Sequence, residues 1–419
     1  MKYIKFIKKN TSMLVFGLLM TFLSSFGQTF LLALYVPFLM EDFALKNSHI
    51  STFYAIATIG SAFLLPYVGK FIDKVNIRYY TIVATALFIL SLVFMGMNEK
   101  WWLIPLAFFG LRMAGQGLFS HISITAMSKY FNKGRGKAIS LASLGHPLGQ
   151  ALLPLIVLGL IALYGWRGSL FFSAGLVLLI VPVYLFVFLK DRHLTIRDEK
   201  KSKSTLSHLP ERQLTQWEII KSKSFWLLAP NLFIMSFTVT GLFFYQFSIA
   251  DFKGWDLEWM AVGLTAYAIA GSASILLAGT MIDRYSATLF FPFYLIPFLI
   301  SMLCVLFISN TWIIFPYMIL MGISSGFGNA LKAALQVEFF GASYIGSVRS
   351  IFTSLTVLSS AVGPAVFGFM IDAGYSFDSV YIFSSFMLGL VILQSFRALS
   401  LFTLNKFRFR TKAYFSNEH

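Results

Sequence analysis

The sequence predicts an all-helical (all-α) membrane protein, with twelve transmembrane helices in two pseudo-symmetric six-helix bundles. Three observations carry that expectation. Hydrophobic residues make up 58% of the 419 and charged residues only 12%. An ordinary soluble domain is about 25% charged, so polar surface could not cover this chain, whereas lipid can. The apolar residues also fall into runs of about 20 or more, the length that crosses a hydrocarbon core about 30 Å thick. Finally, residue types recur at a constant offset of 210 or 211 positions, as a duplicated unit would produce.

The apolar runs lie at roughly 12–39, 48–72, 78–97, 101–129, 137–163, 167–189, 224–250, 258–282, 287–308, 311–337, 345–371 and 377–402. Lys2, Lys5, Lys8 and Lys9 precede the first run, which continues without a small-residue cleavage site. It reads as a spanning helix and not as a cleaved leader. Residues 190–223 are polar and contain KKSKS. So long a structureless stretch is unusual inside one compact domain and natural between two. The expected organisation is an N-terminal bundle at 1–190, a cytoplasmic linker at 191–223, a C-terminal bundle at 224–405 and a cytoplasmic tail at 406–419.

The formal net charge is +16, but the basic residues sit in short loops and tails, so no nucleic-acid partner is implied. With the N-terminus inside, the segments on that side hold 27 lysines and arginines and the opposite segments hold four, Lys46, Lys100, Arg167 and Lys253. Basic residues favour the cytoplasmic side. The expected localisation is therefore the cell inner membrane, multi-pass, with both termini cytoplasmic and the basic loops facing anionic lipid. Cys304 is the only cysteine, which rules out an intramolecular disulfide and a cysteine-rich metal site.

The repeat pairs Gly69 with Gly279, Ile72 with Ile282, Asp73 with Asp283, Lys74 with Arg284, Gly136 with Gly346 and Pro154 with Pro364. At an offset of 211 it pairs Gly115 with Gly326 and Gly117 with Gly328. Parallel six-helix repeats around a midplane site are a transporter plan.

The loop after the second run reads Gly69-Lys70-Phe71-Ile72-Asp73-Lys74-Val75-Asn76-Ile77-Arg78. It resembles the signature loop of the major facilitator superfamily. That resemblance implies a conformational switch at Gly69, Asp73, Lys74 and Arg78, repeated at Gly279, Asp283 and Arg284, where the later basic residue is missing. Arg112-Met113-Ala114-Gly115-Gln116-Gly117 looks like the fourth-helix motif of the same superfamily. Tyr130 to Ala138, with Gly145, Pro147, Gly149 and Pro154, resembles the monocarboxylate-porter and oxalate–formate-antiporter branch.

No acidic residue falls in the interior of a predicted span, but Arg112, Lys332, His121 and His146 do. A charge at the bilayer centre costs about 2.5–3.5 kcal/mol on insertion scales, so each needs a reason. Lys332 and His121 obey the 211 offset and are expected to face the central pathway. Lys332 could instead snorkel to the surface, Arg112 could tie helix ends together, and His146 could be a satisfied histidine beside Pro147. Nine residues separate Arg112 from His121, about half a turn out of phase at 3.6 residues per turn. The candidate substrate-binding set is Lys332, His121, Arg112, Gln28, Asn329, Tyr245 and Gln246, with Gln336 also polar in the tenth run.

The function this implies is secondary transport of a small organic solute by alternating access, with an anion such as a carboxylate favoured by the acid-free, positive interior. Coupling to a proton or a counter-anion is expected, and the chain reads as a monomer without a cofactor. Efflux of hydrophobic drug-like compounds is the alternative, and a non-transporting membrane sensor is the alternative of another class. No phosphate-cradling Gly-Lys-Ser/Thr loop, no His-Glu-x-x-His and no nucleophile elbow is present in the sequence, which argues against an enzyme.

Overall fold

The computed structural model describes residues 2–131, 134–189, 216–308, 310–340 and 345–415. Among them the structure is helical and contains no strand. Helices suit a chain this apolar inside lipid, because a helix pairs its backbone groups within one segment. Large apolar side chains point outward, with Phe63, Leu163, Leu276 and Phe307 more than 70% exposed. The buried set includes Ser24, Thr58, Ser123, Ser169 and Asn231. An apolar exterior, with small and polar residues admitted among the apolar ones inside, is the arrangement of a bundle solvated by lipid.

Ten helical segments among the described residues are long and apolar enough to cross a membrane. The first is Asn10–Gly27, within α1 (Lys2–Leu23) and a 3₁₀ turn at Ser24–Gly27. The chain then breaks: Gln28 is extended at φ −85° and ψ 152° before α2 (Thr29–Leu32) and α3 (Val36–Asp42). Next come α4 (Asn47–Gly69) and α5 (Ile77–Met97). The following span joins α6 (Ile104–Gly110), a π-helical stretch at Leu111–Phe119 and α7 (Ser120–Tyr130).

The 54-residue stretch Arg135–Phe188 comprises α8 (Arg135–Ser143), α9 (Gly145–Val183) and a π turn. It covers two of the expected runs. Inside α9, Gly165 has φ 70° and ψ 170°. The left-handed half of backbone space is open to glycine, and the helix direction changes there.

In the second half, α10 (Gln216–Lys221) leads to α11 (Lys223–Phe244) and α12 (Gln246–Lys253), separated by Tyr245. Then follow α13 (Leu257–Tyr285), α14 (Ala287–Phe290), α15 (Ile296–Phe307), α16 (Ile314–Phe340), α17 (Ile345–Asp372) and α18 (Phe377–Phe415). The run expected at 287–308 holds only α15 as a sizeable helix, and α15 is shorter than the ten.

The chain forms two compact units. One contains the described residues of Met1–His208 with Thr240–Ala268 and Pro364–Gly374. The other contains those of Leu209–Val239, Ile269–Gly363 and Tyr375–His419. In the first unit the break in the first span meets the π stretch at a pair of glycines. A Cβ on Gly27 would lie 2.3 Å from the Leu111 carbonyl oxygen, and one on Gly115 would lie 2.9 Å from the Gly27 nitrogen. In the second unit Tyr294 donates to Asn231 Oδ1, and Asn231 Nδ2 donates to Ser395 Oγ at 3.0 Å.

Candidate solute site and gates

Breaking a spanning helix frees backbone carbonyls, which must find donors away from water. At the Gln28 break, Arg112 Nη1 reaches the Gly27 carbonyl and Thr29 Oγ1, each at 3.4 Å. Gln246 Nε2 donates to the Phe30 carbonyl at 2.8 Å. Thr29 Oγ1 and Tyr54 Oη are 2.5 Å apart. The Arg112 guanidinium carbon lies 4.9 Å from the Tyr54 ring centre, a cation–π approach. The Tyr54 ring is 4.8 Å from the Phe244 ring, and the Phe30 ring lies 5.9 Å from the His146 ring, edge on.

Arg112 is 4% exposed and no ion pair joins it to a carboxylate among the described residues. Its contacts at 3.4 Å exceed the usual N–H···O range of 2.7–3.2 Å, and its Nε is buried without a partner. Much of its hydrogen-bonding capacity is therefore unused. The first unit thus gathers three residues of the candidate set, Gln28, Arg112 and Gln246, around the break, while Tyr245 bonds the Asn47 carbonyl. Thr29 and Tyr54 were not in the set, although Thr29 adjoins Gln28.

His121 has a different neighbour. Its Nε2 lies 3.1 Å from the Gly69 carbonyl oxygen, and since a carbonyl only accepts, Nε2 carries the hydrogen. The π stretch widens the turn between Arg112 and His121, so phase counted at 3.6 residues per turn does not hold across it. Lys332 is half-buried in α16, without a hydrogen bond or ion pair among the described residues, and Asn329 is exposed; both belong to the second unit. Gln336 is buried there.

The first signature loop is held from several sides. Lys129 Nζ donates to the Ile72 carbonyl at 3.3 Å, Tyr80 Oη to the Val68 carbonyl at 3.1 Å and Arg78 Nη2 to the Leu189 carbonyl at 2.5 Å. Asn76 caps α5 by accepting from the Arg78 backbone N–H at 2.9 Å. Lys74 is exposed, and the Asp73 side chain lies outside the described residues. In the second copy Asp283 and Arg284 are exposed, with Arg284 5.2 Å from the Tyr285 ring. Here Glu338 of α16 caps α14, accepting from the Ala287 and Thr288 backbone N–H groups at 2.7 and 2.9 Å.

At the other end of α4 the first unit has a set of contacts between segments far apart in sequence. Asp372 Oδ2 accepts from the Ser48 backbone N–H at 2.7 Å, and Oδ1 accepts from the Asn47 N–H at 3.1 Å and from Asn47 Nδ2 at 3.2 Å. Tyr245 Oη donates to the Asn47 carbonyl at 3.0 Å, and Thr265 Oγ1 to the Ala151 carbonyl at 2.7 Å. Residues of the second sequence half, Tyr245, Gln246, Thr265 and Asp372, thus close onto the first half.

Known proteins share parts of this plan. The chain is 27% identical over 146 residues to the MFS transporter asaE of Aspergillus flavus, covering 34% of this chain and 33% of that protein. It is 26% identical over 265 residues to a protein of Chlamydia muridarum named "Probable hexose phosphate transport protein", covering 55% of this chain and 56% of that one. It therefore spans about a third and about half of these relatives' lengths. Among solved structures, the nucleoside transporter NupG superposes with a TM-score of 0.73 at 12% identity, over 93% of this chain and 99% of that one. A bacterial homolog of the human lysosomal transporter Spinster, inward-facing and unoccupied, gives 0.69 at 13% identity, over 94% and 95%. At such identity the likeness is one of fold. The sequence also matches the model of the Major Facilitator Superfamily over residues 17–266 and 260–412. The signature loop, the helical membrane fold and that match over most of the chain agree: the protein is a multi-pass membrane protein and belongs to the Major Facilitator Superfamily.

Proposed function

We propose that the protein is a secondary transporter that moves a small organic anion across the inner membrane by alternating access, coupled to a proton or a counter-anion. The observation that carries the reading is Arg112: a buried guanidinium in a membrane-spanning helix, unpaired with any described carboxylate, with an orphan Nε beside a broken helix. An anion entering the site would offset the desolvation that this cation bears alone. Arg presents a planar fork of donors that suits a carboxylate or a phosphate equally. The name of the Chlamydia relative makes a phosphate ester as reasonable a solute as a carboxylate. Lys332 is the cation we assign to the second half. The loop motifs from Tyr130 to Pro154 support ancestry in the monocarboxylate-porter and oxalate–formate branch.

Twelve spans in two repeats remain our reading. A straight 54-residue helix would be about 80 Å long at 1.5 Å per residue, so Arg135–Phe188 is counted as two spans divided at Gly165. The stretch from α14 through α15 is counted as one. The Asp372 and Tyr245 contacts to the Asn47 end of α4 then lie on the outside and must separate for solute to load from there.

The test is a thermal-shift series on purified protein with carboxylates, phosphate monoesters and lipophilic cations, since a ligand of the native state raises apparent stability. Anions are expected to stabilise. Arg112→Gln should erase that shift and Arg112→Lys keep part of it, because the charge survives and the fork does not. Stabilisation by lipophilic cations alone, or an undiminished anion shift in Arg112→Gln, would overturn the reading.

A further inference from the structure

The amide of Gln246 is oriented by its surroundings. Its Nε2 donates to the Phe30 carbonyl at 2.8 Å, and a carbonyl can only accept, so the nitrogen is fixed toward the broken helix. Its Oε1 is left buried with no partner, in a side chain that is 2% exposed. A buried acceptor without a donor is costly and uncommon in a folded protein. The same four-residue stretch, Gly27 to Phe30, is held from its other end by Arg112, whose Nε is the matching orphan donor. Tyr54 stands between them, against the Arg112 guanidinium and against Phe244, two residues before Gln246. One unit therefore presents an unused cationic donor and an unused neutral acceptor at one helix break.

We propose that the transported solute is a hydroxylated organic anion, whose anionic group takes Arg112 and whose hydroxyl donates to Gln246 Oε1. This rests on the anion reading above and adds a specificity-determining residue to it. A site with a buried group awaiting a hydroxyl discriminates strongly against an analogue without one, because binding the analogue leaves that group unpaired. A solute with no hydroxyl would still satisfy Arg112, so the penalty falls on Gln246 alone.

The experiment is titration calorimetry of the purified full-length protein with matched pairs, glycerate against propionate and glycerol phosphate against propyl phosphate. The hydroxylated member should bind about tenfold or more tightly within at least one pair, and the pair that binds distinguishes a carboxylate from a phosphate. Gln246→Met keeps the length of the side chain and removes its polar atoms, so the preference should fall to about twofold or less. Equal binding of both members by the wild type would overturn the hydroxyl proposal and leave the anion reading standing. Absence of binding by every anion would overturn both. A preference that survives in Gln246→Met would overturn the assignment to Gln246. The wild-type pairs decide the hydroxyl question even where the variant fails to fold.

Discussion

On the topology we propose, replacing Asp372 with alanine should open the outer end of the bundle. Asp372 caps α4 from a position more than 300 residues away in sequence, accepting two backbone N–H groups and the Asn47 side-chain amide. Loss of an N-terminal cap costs about 1 kcal/mol within a range of about 0.5–2. Loss of a carboxylate beside a helix N-terminus adds about 0.3–1 kcal/mol. Asp372 is exposed, so solvent screening holds the sum to about 1–2 kcal/mol. All of it acts on the closed form, and that energy corresponds to a factor of about 5–30 in an equilibrium.

The assay is alkylation by a membrane-impermeant maleimide added outside, with Gln28→Cys as reporter and Cys304→Ser removing the single native thiol. Asp372→Ala should label about 5–30 times faster. Asp372→Asn retains an oxygen that caps nearly as well and loses only the charge, so its gain should stay below about fivefold. Unchanged labelling in Asp372→Ala, or an equal increase in both variants, would refute the capping argument.

The switch loop gives a second expectation: Asp73→Asn should slow solute exchange in proteoliposomes while leaving affinity by thermal shift unchanged, and Asp283→Asn should slow it less because the second copy lacks the later basic residue. Equal exchange rates for wild type and Asp73→Asn would contradict a switching role. Topology gives a third, in which reporter fusions after Lys9, near Ser204 and after Lys412 report the cytoplasm and a fusion near Asp256 reports the outside. A periplasmic signal at Ser204 would contradict the twelve-span reading.

Hydropathy made most of the helices visible because each span must be apolar along a fixed length, whatever its neighbours do. The signature loop was equally legible, since its residue types form one short contiguous pattern, although Arg78 and Gly69 find their partners at Leu189 and His121. What escaped was geometry that depends on distant partners. The π stretch at Leu111–Phe119 has no residue type of its own, and it undoes the phase argument that set Arg112 and His121 on opposite faces. The break at Gln28 lacks a proline, and only Gly27 hinted at it. Asp372 and Asn47 flank their apolar runs, and nothing local records a contact spanning 325 positions. The orphan atoms of Arg112 and Gln246 are legible only once every neighbour's hydrogen bonds have been counted.

The turn at Gly165 has a practical consequence. The helix direction changes there without a loop, and the next two residues are anchored: Trp166 Nε1 donates to Asp42 Oδ2 at 3.0 Å, and Arg167 pairs with the same carboxylate at 2.7 Å while reaching the Asn98 carbonyl at 3.3 Å. This corner offers no slack for an inserted epitope tag and little purchase for a protease. Spin labels on either side of it would keep a constant separation through the transport cycle. Spectroscopy could use that distance as an internal ruler, against which movement of every other helix end is measured.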